Sequence, residues 1–218
     1  MEFEVHGAMA YCFDARVVLA ERPTAVFIHG ALNDHSVWGR QAAHLGANHV
    51  SVLVPDLPGH GRSAGPALGS IEEMADWLLA LLDAAQVRQA VLVGHSMGSL
   101  IALEAARKAP QQVAALALLG SSYPMKVSGA LLAQARDDEA AAIAMVAQWS
   151  HASADPLVRE ASASLMSALA AASPQHLLHL DLNACKQYAG GETAARAVGC
   201  PTLLVVGSAD RMTPPASA

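Results

Sequence analysis

The stretch AVLVGHSMGSLIALEAARKAP, residues 90–110, decides how this chain of 218 residues is read. It opens on a run of valine and leucine without polar alternation, as a strand covered on both faces of a parallel sheet requires. It breaks at two glycines, Gly94 and Gly98, that bracket Ser96, and resumes as a segment apolar nearly all round. That segment carries Arg107 and Lys108 where a helix dipole ends negatively and stops at Pro110, so the pattern predicts a buried helix. A strand, a tight turn and a helix N-terminus therefore meet at one hydroxyl. A nucleophile raised on so sharp a turn needs neighbours without bulk two positions to either side, which is where the glycines stand. A glycine-rich turn with an incidental serine is the bland alternative, and the strand before and helix after it argue against that. His95 is expected to point away from the serine and to serve in packing rather than as a base.

Outward from this stretch the same kind of strand recurs: TAVFIHG from Thr24, HVSVLVPD from His49, VAALALLG from Val113 and PTLLVVG from Pro201. Helical patterns lie between them. In SIEEMADWLLALLDAAQ, Ser70 and Glu73 form a capping box, and Ile71, Met74, Ala75, Leu78, Leu79 and Leu82 share one face. Alternating strands and helices predict an α/β fold with an open, mostly parallel, doubly wound sheet and flanking helices. EFEVHG and AMAYCFD at the start suggest an antiparallel hairpin at one edge. From Tyr123 the rhythm changes: GALLAQARDDEAAAIAMVAQW and PLVREASASLMSALAAA carry alanine, leucine and methionine at helical spacing. We read residues 1–122 as the first part of a core, 123–189 as a helical cap insertion and 190–218 as the return to the core.

Composition narrows the function. Hydrophobic residues make up 53% of the chain and the mean hydropathy is +0.31, yet no apolar stretch approaches the roughly 18 residues of a membrane span. The N-terminus lacks the basic start and apolar block of a secretory signal, so the expected compartment is cytoplasmic. A net charge of -6 offers no basic stripe for nucleic acid. Neither a GxGxxG nor a GxxxxGK loop occurs, so no nucleotide cofactor is expected. Three cysteines, Cys12, Cys185 and Cys200, lack the paired spacing of a disulfide framework or a metal centre and read as core filling. The oligomeric state is open.

Three further motifs stand at strand ends. FIHGALNDHSVW, residues 27–38, places the backbone N–H of Ala31 where, with that of Met97, it would form an oxyanion hole. His29 reads as a structural hydrogen-bonding residue, and His35 as a candidate pocket residue. PDLPGHGRS, residues 55–63, has the Pro and Gly density of a turn; its His60 has no acidic partner nearby in sequence. GSADRMTP, residues 207–214, comes after the last strand-like run. With these motifs in this order around GHSMG, the chain resembles the α/β-hydrolase family, in its branch with a serine nucleophile and a helical cap. The resemblance implies Ser96 as nucleophile, Asp210 as the acid, and Ala31 and Met97 as oxyanion donors. Serine at the elbow argues against the dehalogenase and epoxide hydrolase branches, which use aspartate there. The expected activity is hydrolysis of an ester, thioester or lactone of a small to medium apolar substrate. Tyr123, Met125 and Trp149, with Met145 and Met166, are candidate pocket walls, and ordinary core packing is the competing reading for each.

In that family a histidine comes after the acid, separated from it by a further loop, helix and strand, whereas here Asp210 is succeeded by RMTPPASA. Three readings compete. The chain is a fragment lacking the last strand and helix of the fold, and as such nearly inactive; or it is a non-catalytic, receptor-like binding protein; or a base comes from elsewhere, such as His35, His151, His176, His179 or another chain. The first is favoured because PTLLVVG is apolar on both faces, unlike an edge strand. That strand is accordingly expected to be left exposed.

Overall fold

The computed structural model describes residues 1–14, 22–150 and 155–217. In chain order its elements are β1 (Glu2–Val5), β2 (Ala8–Asp14), β3 (Thr24–Ile28), α1 (Gly39–Ala47), β4 (Val52–Pro55), α2 (Ile71–Ala84), β5 (Ala90–His95), α3 (Met97–Lys108) and β6 (Val113–Leu119). Beyond these come α4 (Gly129–Asp137), α5 (Glu139–Ser150), α6 (Pro156–Ala172), α7 (Leu177–Gln187), α8 (Gly191–Ala197) and β7 (Thr202–Val205). The strands form a seven-stranded sheet in the order β1-β2-β4-β3-β5-β6-β7. β1 and β2 make the expected antiparallel hairpin, β2 joins β4 antiparallel, and the remaining pairs are parallel. β5 thus lies inside the sheet with β3 on one side and β6 on the other, and all three end at the same edge. The turns that carry Ala31 and Ser96 leave the sheet at that edge.

Local signals account for the helices that cover it. The Ser70 hydroxyl accepts the Glu73 N–H at 3.2 Å, but the Glu73 carboxylate reaches back to the N–H of Gly69, at 3.1 Å, rather than that of Ser70. The face that α2 buries is Ile71, Met74, Ala75, Trp77, Leu78, Leu81 and Leu82. Trp77 and Leu81 are buried where the spacing had favoured Leu79, which is only partly covered. α3 is buried over all residues from Met97 to Ala106, as a helix apolar on every side demands. Its one buried acid, Glu104, is taken by Arg107 and by the Tyr188 hydroxyl at 2.8 Å.

The helices α4 to α7 have an apolar cluster of their own, including Leu131, Ile143, Met166, Leu178 and Leu182. Leu32, from the loop after β3, is buried in that same cluster and Ala31 packs against it. The helical stretch therefore sits on the loop that leaves β3. At the other end, β7 is exposed along its whole length, with Leu203, Leu204 and Val205 at 59%, 52% and 45%. Beside it a cleft of about 580 Å³ opens between α3, α8 and the β6–β7 edge, lined by Leu103, Leu118, Tyr123, Val198 and Leu204 among others. Among the described residues no helix is long and apolar enough to cross a membrane.

Two glycines permit the close approach of α3 to the sheet. A Cβ on Gly98 would lie 2.6 Å from the His29 carbonyl oxygen and closer still to that of Ile28, and one on Gly94 would lie 2.7 Å from Ser99 Cα. Gly129, by contrast, has nothing within 4 Å of its Cβ position. Gly98→Ala is expected to destabilise the chain by about 3 kcal/mol or more, because backbone rather than a movable side chain blocks the methyl. Gly129→Ala should stay within about 1 kcal/mol of the parent; urea unfolding of the two variants checks both.

Candidate active site

Ser96 links β5 to α3 with φ +52° and ψ −118°, a conformation that L-residues rarely adopt. Holding it costs on the order of 1–3 kcal/mol and requires its surroundings to over-determine it. They do so from both sides. The Ser96 N–H donates to the Leu119 carbonyl at 2.9 Å, and its carbonyl accepts the Ser99 N–H at 2.9 Å. The Ser99 hydroxyl also donates to that carbonyl, at 2.6 Å, and meets the Ser121 hydroxyl at 2.9 Å. Ser96 is partly exposed, not sealed in the core. Met97 is the first residue of α3, so no carbonyl of the helix takes its N–H.

The end of β3 abuts the serine: a Cβ on Gly30 would sit 3.3 Å from Ser96 Cβ. The next peptide unit carries the Ala31 N–H, and its carbonyl end, on Gly30, lies 2.9 Å from His29 Nδ1. His29 Nε2 in turn accepts the Leu57 N–H at 3.0 Å. One ring nitrogen facing a carbonyl and the other facing an N–H define a neutral imidazole protonated at Nδ1. Burial, reinforced by repulsion from the neighbouring His60, pushes the His29 pKa down to about 3.

Asp210 lies just past β7, which ends at the same edge of the sheet as β5. Its Oδ1 accepts the N–H groups of Met212 and Thr213 at 2.8 and 2.9 Å, and its Oδ2 accepts the Thr213 hydroxyl at 2.7 Å. The loop folds back onto the end of β6. Thr213 Oγ1 and the His95 ring lie 3.3 and 3.6 Å from the Cβ position of Gly120, which comes directly after β6. The His95 ring lies beside Gly30 and Gly120 at this edge, with Nδ1 3.3 Å from the Cβ position of Gly30, on a residue that is exposed overall.

His35, His60, His176 and His179 are engaged elsewhere. His35 holds Asp56 Oδ1 through its N–H at 2.7 Å and its Nδ1 at 2.8 Å, and its ring lies 4.9 Å from that of Tyr11. His176 faces Glu139 at 3.8 Å and His179 Nδ1 bonds the Leu132 carbonyl at 3.0 Å. His151 lies outside the described residues. His60, without an acidic partner in nearby sequence, finds one 121 residues away: its Nε2 lies 2.9 Å from Asp181 Oδ2. The signal was an acid on the apolar stripe of α7, between Leu178 and Leu182.

The candidate pocket residues scatter. The Tyr123 hydroxyl donates to the Ala189 carbonyl at 2.7 Å, and its ring lines the cleft beside β7, whose walls include neither Ser96 nor Asp210. Met125 packs on the main core, while Trp149 and Met145 pack on the helical cluster that holds Leu32. Asp34, His35 and Asp56 bring potential ligand atoms within 4.8 Å of one another. Asp56, however, already accepts both His35 donors and the Arg62 N–H at 2.9 Å, so the trio ties together the loops after β3 and β4.

The alpha/beta hydrolase fold family model matches residues 23–218. The chain is 38% identical over 141 residues to lipase LipV of Mycobacterium tuberculosis, a match covering 62% of this chain and 53% of that protein. It is similar to the solved structure of Est816, described as an N-acyl homoserine lactone degrading enzyme, with a TM-score of 0.81 and 26% identity over 100% of this chain and 85% of the other. The enol-lactonase from Burkholderia xenovorans shares the fold, with a TM-score of 0.85 at 23% identity, over 100% and 85% of the two chains. The chain spans 26% to 53% of the length of the first curated relatives.

The two buried imidazoles give stability a predictable pH dependence. His29 is neutral when folded but takes a proton near 6.5 when unfolded, so the unfolded state binds more protons below that pH and stability falls as pH drops from 6.5 toward 3. His60 has the opposite sign: its folded pKa is raised, so its contribution is complete below 6.5 and fades as pH climbs through the raised value. Unfolding free energy is therefore expected to peak near neutrality. Through His29 alone it should drop on the order of 2 kcal/mol between pH 7 and 4.5, and urea titrations of His29→Asn should show a shallower acid limb.

Proposed function

The chain belongs to the alpha/beta hydrolase fold family, and on that premise we propose that it carries the nucleophile, acid and oxyanion donors of a serine hydrolase acting on an ester, thioester or lactone. Ser96 attacks the substrate carbonyl, and a histidine base takes its proton and returns it to the leaving group. Asp210 orients that histidine and stabilises its charged form. The N–H groups of Ala31 and Met97 receive the oxyanion. Water then hydrolyses the acyl-enzyme. The observation that carries this reading is the strained backbone of Ser96 between β5 and α3, braced at both its N–H and its carbonyl.

Residues 123–189 are read as the cap of this site. Contact of their apolar cluster with Ala31 and Leu32 supports that role, and makes Met145 and Trp149 better candidates for pocket walls than Tyr123. A small to medium apolar acyl group suits such walls. The lipase and the lactone-degrading enzyme among the relatives support an ester-type bond as the target. No cofactor enters the scheme.

A receptor-like binding protein is the second reading, favoured by one observation: three of about four acceptor positions on the Asp210 carboxylate are taken by its own loop. The position left, on Oδ2, suffices for one imidazole N–H. In comparable enzymes, loss of the base costs about 10⁶ in kcat and leaves roughly 10³ over water.

With free imidazole supplied as the base, a fluorophosphonate probe is expected to label Ser96 alone, as read by mass spectrometry, with labelling abolished in Ser96→Ala. The 218-residue chain should hydrolyse p-nitrophenyl esters barely above background, and free imidazole should raise the rate only while Ser96 is present. Brisk Ser96-dependent turnover without imidazole would show that the base lies within these residues. Saturable ligand binding with no product under any of these conditions would favour the receptor reading.

A further inference from the structure

We propose that Asp181, on α7, is a positioning residue for the oxyanion loop: braced by His60, its carboxylate fixes the Leu32 amide and through it the direction of the Ala31 N–H. The proposal rests on the reading of Ala31 as an oxyanion donor. The loop after β3 is held by bonds on two successive peptide units. The unit between Gly30 and Ala31 has its carbonyl on His29 Nδ1 at 2.9 Å. The unit between Ala31 and Leu32 is clamped at both ends, its carbonyl by Asn33 Nδ2 at 2.8 Å and its N–H by Asp181 Oδ2 at 2.8 Å. Leu32 itself sits at φ +47°, a left-handed conformation that a branched side chain does not choose unaided. Asp181 supplies the bond that holds it there, from a helix 149 residues further along the chain.

That carboxylate is an expensive device. Asp181 is fully buried and its Oδ1 has no hydrogen-bond partner among the described residues, a condition that costs free energy in any interior. Its counter-charge is His60, 1% exposed, with Nε2 at 2.9 Å from Asp181 Oδ2 and Nδ1 at 3.0 Å from the Pro58 carbonyl. A ring with acceptors at both nitrogens carries a proton on each. Burial opposes that charge, but attraction and hydrogen bonding to Asp181 outweigh it and raise the His60 pKa. The remaining groups facing the pair are His29, held neutral with its ring 5.2 Å from that of His60, together with Asp56 and the Cys185 thiol, which burial pushes up. A buried ion pair is seldom worth its desolvation as stability alone. Here it joins the helical cluster to the turn after β4 and to the loop after β3, so undocking of α7 releases the oxyanion loop.

The test uses the full chain, and its readouts do not require turnover. In Asp181→Asn and His60→Gln, hydrogen exchange at the Leu32 amide is expected to accelerate at least about tenfold while the amides of β5 and β6 keep their protection. Phenylboronic acid, which adds to a serine hydroxyl as a tetrahedral mimic, should shift the Ala31 and Met97 amide resonances of the parent. It should bind the variants between about tenfold and a hundredfold more weakly. Should Asp181→Ala fail to fold, the two near-isosteric variants carry the experiment. Uniform loss of protection across the sheet would overturn the proposal by making the pair a stability element only. Equal boronate affinity in parent and variants would overturn it while leaving the site reading intact. Absence of an Ala31 shift in the parent would instead remove Ala31 as a donor, and the proposal with it.

Discussion

The site depends on a contact between backbones. α3 runs so close beneath the end of β3 that no side chain fits between them: a Cβ on Gly98 would meet the carbonyls of Ile28 and His29. That approach makes the rest geometrically possible. It draws the start of α3, with the Met97 N–H, beside the loop that carries the Ala31 N–H, and it forces the chain between β5 and α3 into the turn that Ser96 occupies. The strain at Ser96 is thus the local cost of bringing two strand ends and one helix end to a point, and the bonds from Leu119 and Ser99 keep it from relaxing.

Behind that contact lies a second organising feature, a small group of buried ionisable side chains in a chain only 15% charged. His29 and His60 lie with ring centroids 5.2 Å apart yet take opposite states. The difference is set by partners. His29 accepts an N–H from Leu57, which excludes a proton on that nitrogen, whereas His60 faces a carbonyl and a carboxylate. One neutral and one charged ring can share an interior where two charged rings could not. The arrangement also runs through three segments distant in sequence, since Asp181 reaches both the loop after β3 and the turn after β4.

Much of the fold was legible because it rests on local chemistry. Runs of valine and leucine without alternation became parallel strands, with β3 and β4 buried throughout and β7 exposed; Ser70 capped α2 as its position promised, and the glycine spacing about Ser96 marked the turn. Partnerships across the chain stayed hidden. His60 showed no acidic partner nearby in sequence because its acid comes from α7, and no motif singled out Asp181, whose partners lie 121 and 149 residues away. Tyr123 likewise lines the cleft beside β7 rather than the serine, a choice made by the Ala189 carbonyl and the ring of Tyr188.

The proposed acid, Asp210, is organised independently of the proposed nucleophile, Ser96. Two backbone N–H groups and one hydroxyl from its own loop surround the Asp210 carboxylate, and such donors fix the plane of the carboxyl. An imidazole approaching the free position of Oδ2 would therefore meet a carboxyl already oriented, and little reorganisation would be left for the proposed reaction step. The same holds on the other side of the site, where His29, Asn33 and Asp181 hold the loop of the Ala31 amide. The proposed nucleophile, hole and acid are each braced at separate strand ends of one sheet edge.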